Sequence, residues 1–361
     1  MRNWSKVLLI LPFAHASAVH QGNVESANRK EEWRAFHLFA PWHNEMPLFK
    51  RTISEYLAPM GVNAIILEVN YKYAWRFHPE LREPGESLTP NDVKELLELC
   101  RKYDIRLIPL FNCLGHQSWE ETNFPLIVEY PELDETPQIP LDNKGVYCRS
   151  WCPLHPKTNE IVFDLFTELI VAFEAKEFHV GMDEAFLIAN EGCPRCRGKN
   201  PAEIYARAIN DYYDFLVTKN NLTMMMWGDR LIDRKLIDYG GDYECSSIGT
   251  APAIDMIPRD IIICDWHYEP REEYPSIPWF QEKGFRVLAT PWKNLNATMK
   301  YISYVEKNKT DKMLGYLFTA WVPAREICAA ILEEEDGAAL TPIAKEAAAT
   351  LRHAMRFLSE R

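Results

Sequence analysis

The 361-residue sequence has no run of lysines or arginines, and with 40 basic and 52 acidic residues its net charge is −12. Binding to nucleic acid depends on clustered positive charge that neutralises phosphates, so a nucleic-acid partner is not expected. Glycine and proline are also few, at 15 and 24 residues, which excludes collagen-like and low-complexity chains. The composition predicts a globular protein with a neutral or cationic ligand.

The sequence also lacks an apolar run of the roughly 20 residues that a membrane-spanning helix needs, so stable membrane insertion is not expected. Its longest apolar run, Val7 to Ala14, follows Arg2 and Lys6 and precedes Ala16-Ser17-Ala18. This pattern is typical of a secretory signal peptide, here over residues 1–18, and predicts a secreted or periplasmic protein. If the run is instead the apolar N-terminus of a chain that is not exported, the location is cytoplasmic.

Nine cysteines are an odd number, so disulfide bonds cannot pair all of them. Four lie in apolar segments and are predicted to pack as small hydrophobic residues: Cys100, Cys113, Cys264 and Cys328. Four others lie in polar, proline-containing loops with C-x3-C and C-x2-C spacing: Cys148, Cys152, Cys193 and Cys196. Disulfides, a structural zinc site and unlinked thiols all fit this second group.

Short apolar segments rich in β-branched and aromatic residues alternate, after Arg34, with longer segments of helical periodicity. This alternation is typical of βα units that form a parallel sheet. The predicted helices include 48–60, 90–103, 159–174, 201–218, 295–308, 324–333 and 341–358. Eight segments have the strand pattern: 35–39, 64–69, 106–111, 177–180, 223–227, 261–264, 286–289 and 314–318.

Eight strands with crossover helices predict an α/β fold, a single-domain (β/α)8 TIM barrel over residues 34–335. We expect a linker over 19–33 before it and a C-terminal helical extension over 336–361 after it. A doubly wound open sheet is the alternative, but the segment Phe39 to Glu45 contains no glycine-rich phosphate loop after the first strand. The long polar segment from Asn112 to Lys157 is predicted to shape the mouth of the active site.

In a barrel of this kind the functional residues follow the carboxyl ends of the strands. Four tryptophans occur at the ends of the fifth to eighth strands: Trp227, Trp266, Trp292 and Trp321. Flat apolar rings with one polar group suit the faces of a pyranose, and neighbouring Asp, Asn and His side chains suit its hydroxyls. We interpret the set as a sugar site, although capping of the barrel core is the alternative for any one tryptophan.

The fourth strand leads into the adjacent carboxylates Asp183 and Glu184, with His179 and Gly181 before them. Two carboxylates in one pocket can divide their roles, so Glu184 is predicted to be the proton donor and Asp183 the charged group that orients the substrate. A metal-dependent hydrolase is a weaker alternative, and no metal or cofactor is predicted. The histidines near strand ends lack the H-x-H or H-E-x-x-H spacing that places two ligands on one metal: His37, His116, His179 and His267.

The string HVGMDE at 179–184 resembles the H-x-G-x-D-E signature of glycoside hydrolase family 20, the β-N-acetylhexosaminidases. The segments IRLIPLFNCLGHQSWE, MMMWGDRL, ICDWHY and TAWV, which begin at residues 105, 224, 263 and 319, are similar to other strand ends of that family. The nearest resemblance is to its compact subgroup, typified by hexosaminidase D. The likeness implies removal of terminal β-linked N-acetylhexosamine (GlcNAc or GalNAc) from a glycan or glycoconjugate.

The resemblance further implies substrate-assisted, retaining hydrolysis, in which the sugar's own 2-acetamido oxygen attacks the anomeric carbon. Glu184 would then be the general acid and later the base, Asp183 would hold the acetamido N–H, and Tyr268 would hydrogen-bond the acetamido carbonyl oxygen. The remaining residues of the implied substrate site are Trp227, Trp266 and Trp321 around the sugar, Trp292 from the strand-end pattern, Asp229 at a polar group, and His116 and His179 behind the acidic pair.

Three departures from the family pattern concern the recognition of sugar hydroxyls. The arginine that commonly ends the first strand is absent, so His37 or His43 is expected to replace it; Asn112 stands where an aspartate is frequent; and no acidic residue follows Trp321. The choice between GlcNAc and GalNAc therefore stays open, as do the linkage and the oligomeric state. An endo-acting or other 2-acetamido-sugar glycosidase, or an inactive sugar-binding protein, is the alternative function.

Overall fold

A computed structural model of the protein describes residues 32–334 and 340–361. Eight parallel strands close into a barrel in which the first strand pairs with the last. The strands are β1 (Trp33–Phe39), β2 (Ala64–Glu68), β3 (Arg106–Cys113), β4 (Glu177–Gly181), β5 (Thr223–Trp227), β6 (Ile262–Trp266), β7 (Arg286–Thr290) and β8 (Met313–Phe318). The prediction of a (β/α)8 barrel is confirmed, and each predicted strand is present with ends that differ by at most two residues.

Helices follow the strands on the outside of the barrel. They are α1 (Met46–Thr52), α2 (Pro90–Lys102), α3 (Pro125–Glu129), α4 (Pro156–Ala172), α5 (Pro201–Tyr213), α6 (Ser276–Glu282), α7 (Leu295–Asn308), α8 (Ala324–Leu332) and α9 (Pro342–Ser359). The predicted helix 48–60 is shorter, because α1 passes into a π-helical turn at Ile53–Leu57. The sequence analysis did not identify α3 and α6. Within the described ranges, no helix is both long and apolar enough to cross a membrane.

The helix starts show why the sequence folds locally as it does. Thr89 accepts a hydrogen bond from the Asp92 N–H, Asp92 in turn accepts one from the Thr89 N–H, and Pro90 occupies the first position of α2. This reciprocal capping satisfies N–H groups that have no partner within the helix. The last helix, α9, packs against α7 and α8, and the Arg34 guanidinium donates to the carbonyl of Leu358 over 3.0 Å. The C-terminal helix is thereby attached to the barrel.

The core has two layers, as expected for parallel strands that are buried on both faces. One layer lies between the strands and the helices, and the other fills the barrel interior. The interior layer includes Ile66, Ile108, Leu110, Met225, Trp227, Leu288 and Leu317. The predicted signal peptide lies outside the described residues, as do most of the linker and the predicted boundary between barrel and extension.

Candidate active site

The carboxyl ends of the strands surround a cavity of about 510 Å³. Ten lining residues were not among the predicted site residues, and they form three groups: strand-end residues, loop aromatics and carboxylates. The first group is Phe39, Asn70 and Asn112; the second is Trp119, Phe124, Tyr147 and Tyr243; the third is Glu68, Glu244 and Glu269. Seven of the ten predicted site residues line this cavity: His116, Asp183, Glu184, Trp266, Tyr268, Trp292 and Trp321.

The acidic pair is presented by an unusual backbone conformation at the end of β4. Gly181, Met182 and Glu184 all have left-handed φ angles, of 66°, 79° and 47°. At Gly181 a Cβ atom would lie only 2.0 Å from the Asn112 Oδ1 atom, so glycine is required for the close approach of β3. Left-handed conformations at residues other than glycine cost on the order of 1–3 kcal/mol and concentrate at functional sites. The turn directs both carboxylates into the cavity.

His116 links the two carboxylates. Its Nε2 atom lies 3.3 Å from Asp183 Oδ2 and 3.3 Å from Glu184 Oε2. Burial alone would lower the pKa of His116, but the negative charge of Asp183 and the contacts with both carboxylates raise it well above its usual range. Burial would likewise raise the pKa of Asp183, yet the positive charge of His116 lowers it. A protonated His116 therefore keeps Asp183 ionised inside the protein.

One oxygen of Asp183 is left without a close donor. The Oδ1 atom is buried and makes no close hydrogen bond in the described part of the chain, although the Asn112 amide lies near the carboxylate and helps to lower its pKa. A buried carboxylate oxygen without a partner is costly, because it has lost its hydration and gained nothing in return. Since Asp183 lines the cavity, a ligand that supplies an N–H or O–H group would satisfy this atom.

Asp229 acts on the pair from behind rather than from the cavity. Its Oδ2 atom accepts hydrogen bonds from the Glu184 backbone N–H over 3.0 Å and from Arg230 over 2.6 Å, and its Oδ1 atom accepts from the Trp266 Nε1–H over 3.3 Å. Burial raises the pKa of Asp229 to about 6, although Arg230 opposes this shift. The prediction that Asp229 contacts the sugar is therefore corrected: both oxygens are engaged in positioning Glu184 and Trp266.

An aromatic wall stands on the other side of the cavity. The Tyr268 ring stacks on Trp266 with ring centres 5.0 Å apart, and the edge of Trp292 lies 5.2 Å away. The Trp321 Nε1–H donates to the Tyr268 hydroxyl oxygen over 2.7 Å. Because this oxygen accepts from Trp321, its own proton is available to a ligand in the cavity.

Two predicted site residues lie beneath the cavity floor. Trp227 is fully buried, since Trp321 covers it with ring centres 5.8 Å apart. His179 packs against Trp227 at 4.3 Å, and its Nδ1 atom accepts from the Gly181 N–H. Burial and the nearby His37 lower the pKa of His179 to about 3, so this ring is neutral. Both residues lie within strands and face the barrel interior, so Trp227 does not wall the cavity as expected, whereas His179 lies behind the acidic pair.

Neither histidine expected to replace the missing arginine reaches the cavity. His37 is fully buried and its Nε2 atom contacts Glu68 Oε2 at 2.8 Å, whereas the half-exposed His43 contacts Asp92 at 2.9 Å. At the end of β1 the cavity is instead lined by Phe39, and the neighbouring β2 contributes Glu68 and Asn70, whose Nδ2 atom donates to Glu68 Oε1 over 2.7 Å. Sequence reasoning missed Glu68 because it ends the apolar segment of β2.

Loop aromatics complete the rim, as the long insertion after β3 suggested. Trp119 stacks on His116 at 5.9 Å and touches Tyr147 at 6.0 Å, and Tyr147 in turn contacts Tyr243 at 6.0 Å. Burial and the adjacent Glu184 carboxylate raise the pKa of Tyr147. The Tyr147 phenol is therefore neutral beside the acid.

A second charged group reaches the rim from the loops after β5 and β6. Glu244 forms a two-pronged ion pair with Arg271, with both N–O distances at 3.0 Å, and also contacts His267. Burial alone would lower the pKa of His267, but Asp265 and Glu244 raise it to about 9. Glu244 therefore faces the cavity with its charge compensated from behind.

Comparisons with known proteins agree with this barrel. The chain is 29% identical over 168 residues to the beta-hexosaminidase subunit A2 of Dictyostelium discoideum, a match that covers 43% of this chain and 28% of that protein. Among solved structures, the chitobiase of Flavobacterium johnsoniae superposes with a TM-score of 0.61 at 18% identity, over 91% of this chain and 51% of that one. A β-N-acetylhexosaminidase of Bacteroides fragilis gives 0.57 at 15% identity, over 89% and 65%.

The chain spans about a quarter of the Dictyostelium protein and about half of the Flavobacterium protein. At these identities the likeness to the solved structures shows the barrel fold. The family model described as "Glycosyl hydrolase family 20, catalytic domain" matches residues 67–335, which is about three quarters of the sequence. The matched segment includes the acidic pair, His116 and the aromatic wall.

Proposed function

The chain belongs to glycosyl hydrolase family 20, and from this premise we propose that it removes terminal β-linked N-acetylhexosamine from glycans. The observation that carries the proposal is the buried Oδ1 atom of Asp183, which makes no close hydrogen bond among the described residues and lies beside Glu184 in one cavity. A 2-acetamido group offers the N–H donor that this oxygen lacks. A plain hexose bears an O–H at the same carbon and has no acetamido carbonyl for the next step.

In the proposed reaction the acetamido carbonyl oxygen bonds to the anomeric carbon while the glycosidic C–O bond breaks. The bonding electrons leave with the glycosidic oxygen, which takes a proton from Glu184. The ring that forms is an oxazolinium ion, and the ionised Asp183 accepts its N–H and stabilises its positive charge. Water then attacks the anomeric carbon and gives a proton to Glu184, while the bond from this carbon to the acetamido oxygen breaks and its electrons return to the acetamido group. The two successive inversions leave the product in the β configuration, with Glu184 protonated again as at the start.

The aromatic wall holds the acetamido group in place for this attack. The Tyr268 hydroxyl, which already accepts from Trp321, donates its proton to the acetamido carbonyl oxygen. Trp266, Trp292 and Trp321 enclose the methyl group and the sugar ring with apolar surface. An oriented carbonyl close to the anomeric carbon reacts faster, because orientation is fixed before the reaction begins.

Carboxylates supply the recognition of the sugar hydroxyls. Glu68, Glu244 and Glu269 line the cavity and can accept hydrogen bonds from hydroxyl groups. Asn70, which donates to Glu68, adds an amide to the part of the wall that follows β2. These side chains bind the hydroxyl groups of the terminal sugar, and their positions determine whether the site accepts GlcNAc or GalNAc.

The test is hydrolysis of aryl β-glycosides of GlcNAc, GalNAc and glucose by the wild type, Glu184→Gln and Glu191→Gln. Glu191 is an exposed glutamate on the loop that follows the acidic pair, so its amide variant is the matched control. We expect cleavage of acetamido sugars only, unchanged in the control and reduced about 10²–10⁴-fold in Glu184→Gln. Equal cleavage of the glucoside, or near-normal rates in Glu184→Gln, would contradict the proposal.

Export is a separate part of the proposal, supported only by the signal-peptide pattern of residues 1–18. It is tested by expressing the full chain in a host with a secretory pathway and measuring the intact mass of the product. A mature protein that starts after Ala18 would support export. Retention of residues 1–18 on a protein inside the cell would contradict it.

A further inference from the structure

A second cluster of reactive side chains lies outside the cavity. Glu135, Cys152, Cys193 and Cys196 are all buried, and their ligand atoms lie within 4.8 Å of one another. The Cys152 sulfur is 3.3 Å from that of Cys196 and 3.5 Å from that of Cys193. The fourth loop cysteine, Cys148, is not part of this group, because its thiol donates to the carbonyl of Glu184. We call these four residues the cysteine–glutamate cluster.

The separations of the sulfur atoms match a metal site better than a disulfide. A disulfide bond is about 2.05 Å long, and all nine cysteines are free thiols in this structure. Three cysteines in mutual contact also cannot all pair, so one disulfide would leave a buried thiol and a buried carboxyl. Zn–S bonds of about 2.3 Å at tetrahedral angles place sulfur atoms about 3.8 Å apart, close to the separations here.

Glu135 gives an independent indication of a missing ligand. Its Oε1 atom accepts a hydrogen bond from the Asn190 N–H over 3.0 Å. Its Oε2 atom is buried and makes no close hydrogen bond in the described ranges, and the side chains that reach the carboxylate are the thiols of Cys193 and Cys196. A thiol is a weak donor, so the burial of this carboxylate is poorly compensated. A cation between the sulfurs and the carboxylate would satisfy it.

Backbone hydrogen bonds hold the turns that carry the cysteines. The Cys193 N–H donates to the Asn190 carbonyl over 3.0 Å, the Arg197 N–H donates to the Cys193 carbonyl over 3.1 Å, and the His155 N–H donates to the Cys152 carbonyl over 3.2 Å. The sulfurs of Cys152 and of the C-x2-C turn are therefore carried on backbone whose conformation is fixed locally.

We propose that Glu135, Cys152, Cys193 and Cys196 bind one Zn²⁺ ion in a closed, four-ligand structural site. Zn²⁺ favours tetrahedral sulfur and carboxylate ligands, and four protein ligands leave no open position for substrate. On binding, the thiols release their protons to solvent as the Zn–S bonds form, and no oxidation occurs. None of the four residues lines the catalytic cavity, so the ion takes no part in glycoside cleavage.

The ion would connect the two loops that flank the catalytic acid. Glu135 and Cys152 belong to the insertion after β3, and Cys193 and Cys196 belong to the segment that follows Glu184. The two loops also meet near the cluster where the Gln138 amide donates to the Asn190 Oδ1 atom over 3.2 Å. A bound ion therefore fixes the loop rim relative to the acidic pair.

The test uses the full chain, purified with reductant, stripped with a chelator and reconstituted with ZnCl₂ or CoCl₂. We expect about one tightly bound zinc per chain, and with cobalt the absorption bands of thiolate-to-metal charge transfer. Cys196→Ala should lose the ion and the cobalt bands. The matched control Cys100→Ala, another buried cysteine to alanine, should keep both. Circular dichroism verifies that each variant is folded.

The more conservative Glu135→Gln and a wild-type measurement keep the test decisive if Cys196→Ala does not fold. Glu135→Gln should weaken zinc binding about 10–100-fold, and zinc should raise the Tm of the stripped wild type. A reconstituted wild type without zinc and without cobalt–thiolate bands would overturn the proposal. So would a disulfide within the cluster in a second sample purified without reductant, seen as a loss of two hydrogens in the intact mass. These readouts do not depend on glycosidase activity.

Discussion

The floor and the rim of the cavity are built in different ways. The floor residues are His116, Asp183, Glu184 and Tyr268, and the rim residues are Trp119, Tyr147 and Tyr243. The floor follows barrel strands, and Asp183 and Glu184 are only 6% and 8% exposed. In the rim, Trp119 and Tyr243 are 43% and 54% exposed and are positioned by ring contacts.

This contrast indicates that the floor carries out the reaction and that the rim recognises the rest of the glycan. The His116 Nε2 atom lies 3.3 Å from a carboxylate oxygen of Asp183 and of Glu184, and these ion pairs hold the floor side chains in place. The exposed aromatic rings of the rim can adapt to the part of a glycan that extends beyond the terminal sugar. Floor variants should therefore reduce kcat on every substrate, whereas rim variants should change KM and mainly for longer glycans.

The largest effect among these variants is expected for Asp183→Asn. The amide cannot provide the negative charge that stabilises the oxazolinium ion, so kcat should fall about 10²–10³-fold. The measurement is steady-state hydrolysis of the preferred aryl glycoside, with the exposed Asp311→Asn as the matched control. A loss confined to KM would show that Asp183 only binds the substrate.

His116→Gln should reduce both stability and activity by removing the cation between the carboxylates. Loss of one partner of a buried ion pair costs about 3 kcal/mol in the free energy of unfolding. The pKa of His116 is raised, so its stabilising effect is complete below its ordinary pKa and is lost as pH rises through the raised value. The pKa of Asp183 is lowered, so its effect is complete above its ordinary pKa and is lost as pH falls through the lowered value.

Urea denaturation across this range of pH tests the His116 account. The free energy of unfolding of the wild type should be highest at pH values between the lowered pKa of Asp183 and the raised pKa of His116. In the variant, the decrease of this free energy at alkaline pH that His116 causes should be absent. An identical pH profile for wild type and His116→Gln would show that the pair does not titrate as described.

Tyr268→Phe and Tyr147→Phe make the same chemical change in the floor and in the rim. Tyr268→Phe removes the donor to the acetamido carbonyl and should lower kcat about 10–100-fold, while Tyr147→Phe should lower it only about two- to fivefold. Steady-state kinetics of both variants with one aryl glycoside give the comparison. Equal losses would mean that the rim takes part in the chemistry.

Trp119→Ala should have the smallest effect. The loss of one aromatic contact, worth about 0.5–1.5 kcal/mol, should raise KM for a longer glycan about two- to tenfold and leave the aryl glycoside almost unchanged. The measurement compares the two substrates in wild type and variant. A larger effect on the aryl glycoside would place the terminal sugar at the rim.

The barrel was predictable because its signal is local and repeated. Each strand is a short apolar run buried on both faces, and the left-handed φ at the end of β4 is occupied by a glycine, Gly181. The position of Asp183 and Glu184 in the cavity followed from their place at a strand end. These features depend on spacing within a few residues, and the sequence contains that spacing directly.

The errors concern residues whose role depends on distant neighbours. Trp227 and Trp266 each end a strand. Trp321 covers Trp227 and leaves Trp266 in the cavity wall, and the residues near either tryptophan in the sequence do not indicate which of the two is covered. Glu68 ends an apolar run, and the sequence analysis assigned it no role. Its buried carboxylate is compensated by contacts with His37 and Asn70, which come together only in the folded barrel. The sequence grouped Cys148 with the other three loop cysteines, whereas in the structure the residue beside those three is Glu135, which the insertion brings there across the fold.

The central claim is that the substrate's own acetamido group is the nucleophile, held by Asp183 and Tyr268. The most direct measurement is kcat/KM for aryl glycosides whose acetamido methyl hydrogens are replaced one by one with fluorine. Fluorine withdraws electrons from the carbonyl oxygen and weakens it as a nucleophile without enlarging the sugar greatly. The account predicts a steep decline along the series in the wild type, and a flat series would contradict it.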